Sequence, residues 1–196
     1  LNVVGLSNNH VFDFGLEGLA STKRGLDAVG VTGFGAGASA REAGRLELVT
    51  IGSVRVGLIG FTCATTHPDV LPVSGPGLAR LRDPPLLRRR LAQRRECDLL
   101  VVSVHWGDEH VAWPRPDQLR LARAMVDHGA DVIAGHHAHV FQGCERYRHG
   151  VIAYGLGNVS ISALRRRVCW GGVEQDYVFE PGAIHRAGVA VSVHWE

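Results

Sequence analysis

Three short polar clusters carry the side chains best suited to holding a cation: Asn8-Asn9-His10, His105, and His136-His137-Ala138-His139. Neutral imidazole suits zinc, iron and manganese, and amide or carboxylate oxygen can fill the remaining positions around such a metal. His137 and His139 form a His-x-His pair. In extended backbone, alternate residues point to the same side, so both rings are expected to face one cleft. The chain has 11 histidines, so one such pair could arise by chance. Placement adds weight, because each cluster follows an apolar run of strand type. The carboxyl ends of strands in open α/β sheets converge on one edge, where sites form. Asn9, His105 and the His137/His139 pair could thus meet in one pocket around a cation.

Other polar residues near these clusters each admit two readings. His10 could protonate a leaving alkoxide or bind a phosphoryl oxygen, or it could only hydrogen-bond within its loop. Asp13 could cap the helix that follows, or orient a ligand histidine through its carboxylate. Glu109 and Glu145 either line the cleft or are exposed loop carboxylates. His136 belongs to the cleft or supports the rings beside it. Asn158 follows the turn Gly155-Leu-Gly157, and it either reaches the site or stabilises that turn.

Alternating elements must position these groups. Leu1 to Leu6 reads as a buried strand, and Ser7 to His10 as a loop. Leu16 to Val29 has helical spacing and ends at Gly30. Arg45–Ile51 and Val54–Phe61 read as a hairpin about Gly52-Ser53. A loop follows, with Pro68, Pro72, Pro76, Pro84 and Pro85 in it or closing it. Leu86–Glu96 and Asp117–His128 are expected helices. Asp98–Val104, Asp131–Ala134 and Val151–Tyr154 are expected buried strands. Gly33-Phe-Gly-Ala-Gly37 reads as a loop without the helix start that a phosphate cradle needs. Val189, Val191, Val193 and Trp195 alternate like a half-buried strand. Strand and helix alternation favours one α/β domain over residues 1–196, a sandwich about a mixed sheet.

Composition narrows the function classes. Hydrophobic residues make up 45% and charged residues 20%, and the net charge is +2. No strong field steers such a chain toward nucleic acid, and no aromatic stacking array suggests it. No apolar run is long enough to span a bilayer, and no signal peptide is present in this chain. Arg88–Arg90 and Arg165–Arg167 are expected to be solvated basic runs. Cys63, Cys97, Cys144 and Cys169 form no CxxC pair, so a cysteine zinc site is not expected. No GxSxG elbow, Walker loop or GxGxxG after a strand is present.

Several motifs together resemble one family. Asn8-Asn9-His10-Val-Phe-Asp13-Phe-Gly15 is similar to the NNHxxDxG signature of CapA-like proteins. His105-Trp106-Gly107-Asp108-Glu109 resembles their HWGxE motif. The segment from Gly129 to Val140 resembles GADvviGHHPHV. Gln142-Gly-Cys-Glu145-Arg-Tyr147 and Ile152 to Asn158 resemble the QxxExY and IxYSLGNF stretches. The match spans about Leu1 to Ser162, in the family's order.

The resemblance implies a calcineurin-like metallophosphoesterase sandwich, with mixed β-sheets flanked by helices. It implies Asn9, His105, His137 and His139 as metal ligands and His10 as the group assisting departure of the leaving group. One or two ions of Mn, Fe or Zn are the implied cofactors. An anionic polymer or phosphorylated substrate is the implied ligand, and a capsule-synthesis membrane complex the implied partner. The family further suggests poly-γ-glutamate capsule synthesis or anchoring, at an extracytoplasmic or membrane-associated location. The upstream aspartate and Asn-Leu-Glu motifs, which would supply a bridging carboxylate, are absent from the chain. Ala138 stands where the family has proline, Val159 where it has phenylalanine, and Ser162 near an expected aspartate. Two functions follow as expectations: a metal-dependent hydrolase, and a non-catalytic capsule-assembly or polymer-binding protein that keeps the fold.

Overall fold

Alternating burial along the central strands sorts the chain into layers. The structure, a computed structural model, describes residues 2–63, 66, 77–78, 84–170 and 173–192. Its elements in order are β1 (Val3–Gly5), α1 (Gly15–Ala28), β2 (Thr32–Phe34), β3 (Ala36–Gly37), α2 (Ala40–Ala43), β4 (Glu47–Ile51), β5 (Val54–Thr62), β6 (Gly77–Leu78) and α3 (Pro84–Leu91). After a 3₁₀ turn at Ala92–Glu96 come β7 (Leu99–His105), α4 (Pro116–Asp127), β8 (Val132–His136), β9 (Cys144–Tyr147), β10 (Gly150–Ala153), β11 (Leu164–Trp170) and β12 (Val173–Phe179). A second 3₁₀ turn covers Ala183–Arg186.

One six-stranded mixed sheet runs in the order β4-β5-β7-β8-β10-β9. β5, β7, β8 and β10 are parallel, and β4 and β9 close the two edges antiparallel. Along β7 the side chains take turns between the two faces, as the period of two requires. Leu100, Val102 and Val104 face the helical layer, in a cluster with Leu87 and Leu91 of α3 and Ala122, Met125 and Val126 of α4. Leu99 and Val101 join the opposite cluster, with Phe34 of β2 and Val3 of β1. A small parallel β1–β2 sheet with α1 therefore covers the second face. Where these layers touch, a side chain at Gly60 would collide with Ser7 and with the Cα of Gly35, so only glycine permits the approach.

The expected α/β sandwich about a mixed sheet is what forms, with several corrections. Gly33 to Gly37 is not a loop: Thr32–Phe34 and Ala36–Gly37 are strands, and glycine there serves close packing. Val189 and Val191 belong to no strand and are 38% and 36% exposed, so their alternation buries nothing. α3 begins at Pro84, two residues before the expected Leu86, as the fixed φ of proline allows at a helix N-terminus. Pro68, Pro72, Pro76, Val193 and Trp195 lie outside the described residues. The β11–β12 hairpin was not anticipated. Arg165 pairs with Glu180 and Arg167 with Asp176 on its exposed surface. No helix among the described residues is long and apolar enough to cross a membrane.

Candidate functional site

Asn9, His105 and His137 come to the same edge because β1, β7 and β8 all end there. β7 and β8 run in parallel register, with His105 opposite His136. The loop after β1 lies over that register, so the backbone N–H of Asn9 donates to His105 Nε2 at 3.3 Å across 96 residues of sequence. The rings of His105 and His137 are 4.4 Å apart, and those of His137 and His139 are 6.3 Å apart. His136 stands 5.0 Å from His105, ring to ring. Asn9, His105 and His137 are buried.

The reason the His-x-His pair converges differs from the one the sequence suggested. β8 stops at His136. His137 and His139 then take left-handed backbone, with φ of 100° and 57°. Such conformations cost about 1–3 kcal/mol in a residue with a side chain and collect at functional sites. A bend after β8, not strand alternation, sets the two rings side by side, with His139 at the cleft.

Burial favours the neutral form of His105, His136 and His137. Desolvation, followed by repulsion from His136 and its neighbours, pushes the pKa of His105 down to about 2. Desolvation, then His137, holds His136 down at about 4. Desolvation also lowers His137, opposed by Glu109. Neutral imidazole is the form that binds a metal.

His139 is oriented by Asn158. Asn158 Oδ1 lies 2.8 Å from His139 Nδ1, while its amide nitrogen donates to the carbonyls of His139 and His185 at 2.7 and 2.8 Å. A ring whose Nδ1–H is held by that oxygen presents Nε2 as the free donor. Asn158 thus reaches the site and also fastens the chain beyond its turn.

A cleft of about 520 Å³ opens beside these groups, lined in part by Asn9, His10, Glu109, His110, His139 and Phe179, with His105 and His137 behind its wall rather than in its lining. His10 is exposed, with Nδ1 3.0 Å from Asp13 Oδ2. Asp13 does not cap α1, whose N-cap is Phe14 with no side-chain bond; its carboxylate is taken by His10 instead. Glu109 stands at the cleft, 3.9 Å from His137 Nδ1. Glu145 does not. It sits on the edge strand β9, where Arg123 at 2.7 Å and the Tyr154 hydroxyl claim its carboxylate. His110 and Phe179 stack at 5.5 Å, and His185 meets both edge-on. The sequence reading missed all three. Only His110 had a signal, its position next to Glu109.

The donors fit a transition metal in kind. His137 Nδ1 is buried with no hydrogen-bond partner, which is costly unless something binds it. In number they fall short: among the described residues, no group of three His, Cys, Asp or Glu side chains is placed so as to hold a metal ion.

The model of a family described as bacterial capsule synthesis protein PGA_cap matches residues 1–162. The chain belongs to this capsule synthesis family. It is 35% identical over 161 residues to capsule biosynthesis protein CapA of Bacillus anthracis, covering 80% of this chain and 39% of that protein. It is 35% identical over 171 residues to PGA biosynthesis protein CapA of Bacillus subtilis, covering 80% and 41%. A probable polyglutamine synthesis accessory protein of Mycobacterium tuberculosis is 34% identical over 169 residues, covering 81% and 44%. The chain therefore spans about two-fifths of the length of these relatives.

Among solved structures, a putative 5'-nucleotidase from Staphylococcus aureus superposes with a TM-score of 0.55 at 17% identity, over 92% of this chain and 37% of that one. A hypothetical protein from Thermus thermophilus gives 0.52 at 16%, over 92% and 77%. These likenesses speak for the fold alone, an α/β sandwich about a mixed sheet. The cleft wall formed by Leu164, Tyr177 and Phe179 lies beyond the segment that the capsule synthesis family matches.

Proposed function

We propose that this chain is the histidine-bearing part of a metal-dependent, phosphoesterase-like hydrolase acting in capsule or poly-γ-glutamate synthesis. The gathering of His105, His137 and His139 with Asn9, from loops far apart in sequence, is the observation that carries the reading. The unpartnered Nδ1 of His137 and the Asn158-oriented ring of His139 support it. Asn9, His105, His137 and His139 would hold one or two divalent ions, of Mn, Fe or Zn. When bound, such an ion supplies Lewis acidity and an activated water. The chain's own part is to keep the imidazoles neutral and aimed, and to place His10 at the open side of the cleft. His10, steadied by Asp13, delivers a proton to the departing oxygen. The substrate is an anionic polymer or a phosphorylated compound. The site of action is extracytoplasmic or membrane-associated, beside a capsule-synthesis complex.

A second reading has its own support. The incomplete donor set favours a capsule-assembly or polymer-binding protein that keeps the fold without the chemistry. Complementation of a deletion strain separates the two. Under the hydrolase reading, full-length protein carrying His10→Ala or His139→Ala fails to restore capsule while accumulating normally. Normal capsule with both variants would leave only the assembly role.

A further inference from the structure

Three buried or half-buried side chains form a chain of contacts with one consistent protonation pattern. Ser103 and His105 lie two residues apart on β7, so they share a face, and His136 of β8 is in register with His105. Ser103 Oγ is 3.0 Å from His136 Nε2. His136 Nδ1 is 3.0 Å from His105 Nδ1. His105 Nε2 accepts from the Asn9 backbone N–H at 3.3 Å.

A neutral imidazole has one donor nitrogen and one acceptor nitrogen. Nε2 of His105 is an acceptor, so its proton sits on Nδ1. That proton can be received only if Nδ1 of His136 is bare. His136 must then carry its proton on Nε2 and donate it to Ser103 Oγ. Every ring nitrogen in the chain is satisfied by this arrangement and by no other neutral one. We infer that His136, backed by Ser103, is a positioning residue that locks His105 as the Nδ1–H tautomer, with its Nε2 lone pair facing the Asn9 backbone N–H.

The inference rests on the proposed metal site only for its purpose. The tautomer is a property of the metal-free protein. Both rings are shielded, His105 buried and His136 partly so, which favours the fixed geometry. Asparagine at position 136 can place its oxygen near the position of Nδ1 and still accept from His105, whereas leucine cannot.

The test is the ring nitrogen spectrum of His105 in the ¹⁵N-labelled, metal-free chain, for wild type, His136→Asn and His136→Leu, beside a zinc or manganese titration. Wild type is expected to show Nδ1 protonated and Nε2 bare near neutral pH. His136→Asn should keep that pattern. His136→Leu should shift it toward Nε2–H and weaken metal binding by about 10–100-fold, the usual effect of losing such a partner. A His105 protonated on Nε2 in wild type would overturn the lock, as would His136→Leu leaving the tautomer unchanged. Should His136→Leu fail to fold, the wild-type and His136→Asn spectra decide. Should wild type bind no metal, the hydrolase reading falls, while the spectrum still tests the lock.

Discussion

Replacing Asn158 separates orientation of the metal site from fastening of the fold. Its amide makes three hydrogen bonds, one accepted from His139 and two donated to the carbonyls of His139 and His185. At a net value of about 1 kcal/mol each, Asn158→Ala removes at most about 3 kcal/mol. The position is half-buried, so water recovers part of that, leaving a loss of about 1–2 kcal/mol. For a chain of this size the melting temperature should fall by about 2–8 °C. Freed of its partner, His139 should also lose about 10–100-fold in metal affinity. Asn158→Asp behaves differently. Its carboxylate still accepts from Nδ1 of His139 but now faces two carbonyl oxygens where an amide donated. Melting should drop at least as far as in Asn158→Ala, while metal affinity stays within a few fold of wild type. Thermal melts and calorimetric titration with zinc or manganese read the two effects apart. An Asn158→Ala protein that melts early yet binds metal as wild type would refute the orienting role.

Two further outcomes follow from the packing and the charge state. Gly135→Ala would drive a methyl group into the Tyr154 carbonyl and within 2.6 Å of Trp106 Nε1, which donates to that same carbonyl. Neither can retreat cheaply, so a loss near the top of the usual 1–3 kcal/mol for overpacking is expected, seen as a melting temperature lower by about 6–12 °C; an unchanged melt would contradict it. Acid should also unfold the chain early. The folded pKa of His105 is about 2, below its unfolded value near 6.5, so protons bind the unfolded state first as pH falls. Stability is therefore full about a pH unit above 6.5 and is down by about 2 kcal/mol from His105 alone by pH 5, the slope approaching about 1.4 kcal/mol per pH unit below pH 6.5. His136, with a pKa of about 4, adds to the loss in that window. A melting temperature flat from pH 7 to 5 would count against both buried neutral rings.

The parts of the fold that were readable from sequence are those where one physical signal dominates. The runs ending in His105 and His136 are apolar because both faces of β7 and β8 are covered, and continuous apolarity marks such strands. The β4–β5 hairpin was readable from Gly52, which takes φ of 61° at the turn. The β11–β12 hairpin was hidden because Arg165, Arg167 and Asp176 stand on an exposed face, so no apolar period exists to detect. Glu145 misled because nearness in sequence to the histidine cluster is not nearness in space: β9 carries it to the sheet edge and Arg123. Of the two readings open for Asp13, capping fails because Phe14 is the N-cap of α1, which leaves the carboxylate to hold His10. His185 carried no signal at all. Its place beside His110 depends on backbone contacts of Gly188 with Gly157 and of Asn158 with Ala187, and on the Asn158 side-chain amide donating to the His185 carbonyl, none of which is visible from the histidine itself.

The measurement closest to the centre of the account is a metal titration of the stripped 196-residue chain by calorimetry, repeated with His105→Ala, His137→Ala and His139→Ala. Wild type is expected to bind zinc or manganese saturably, and each substitution to weaken that binding at least about tenfold. Absence of saturable binding, or binding that all three variants keep at wild-type strength, would contradict it.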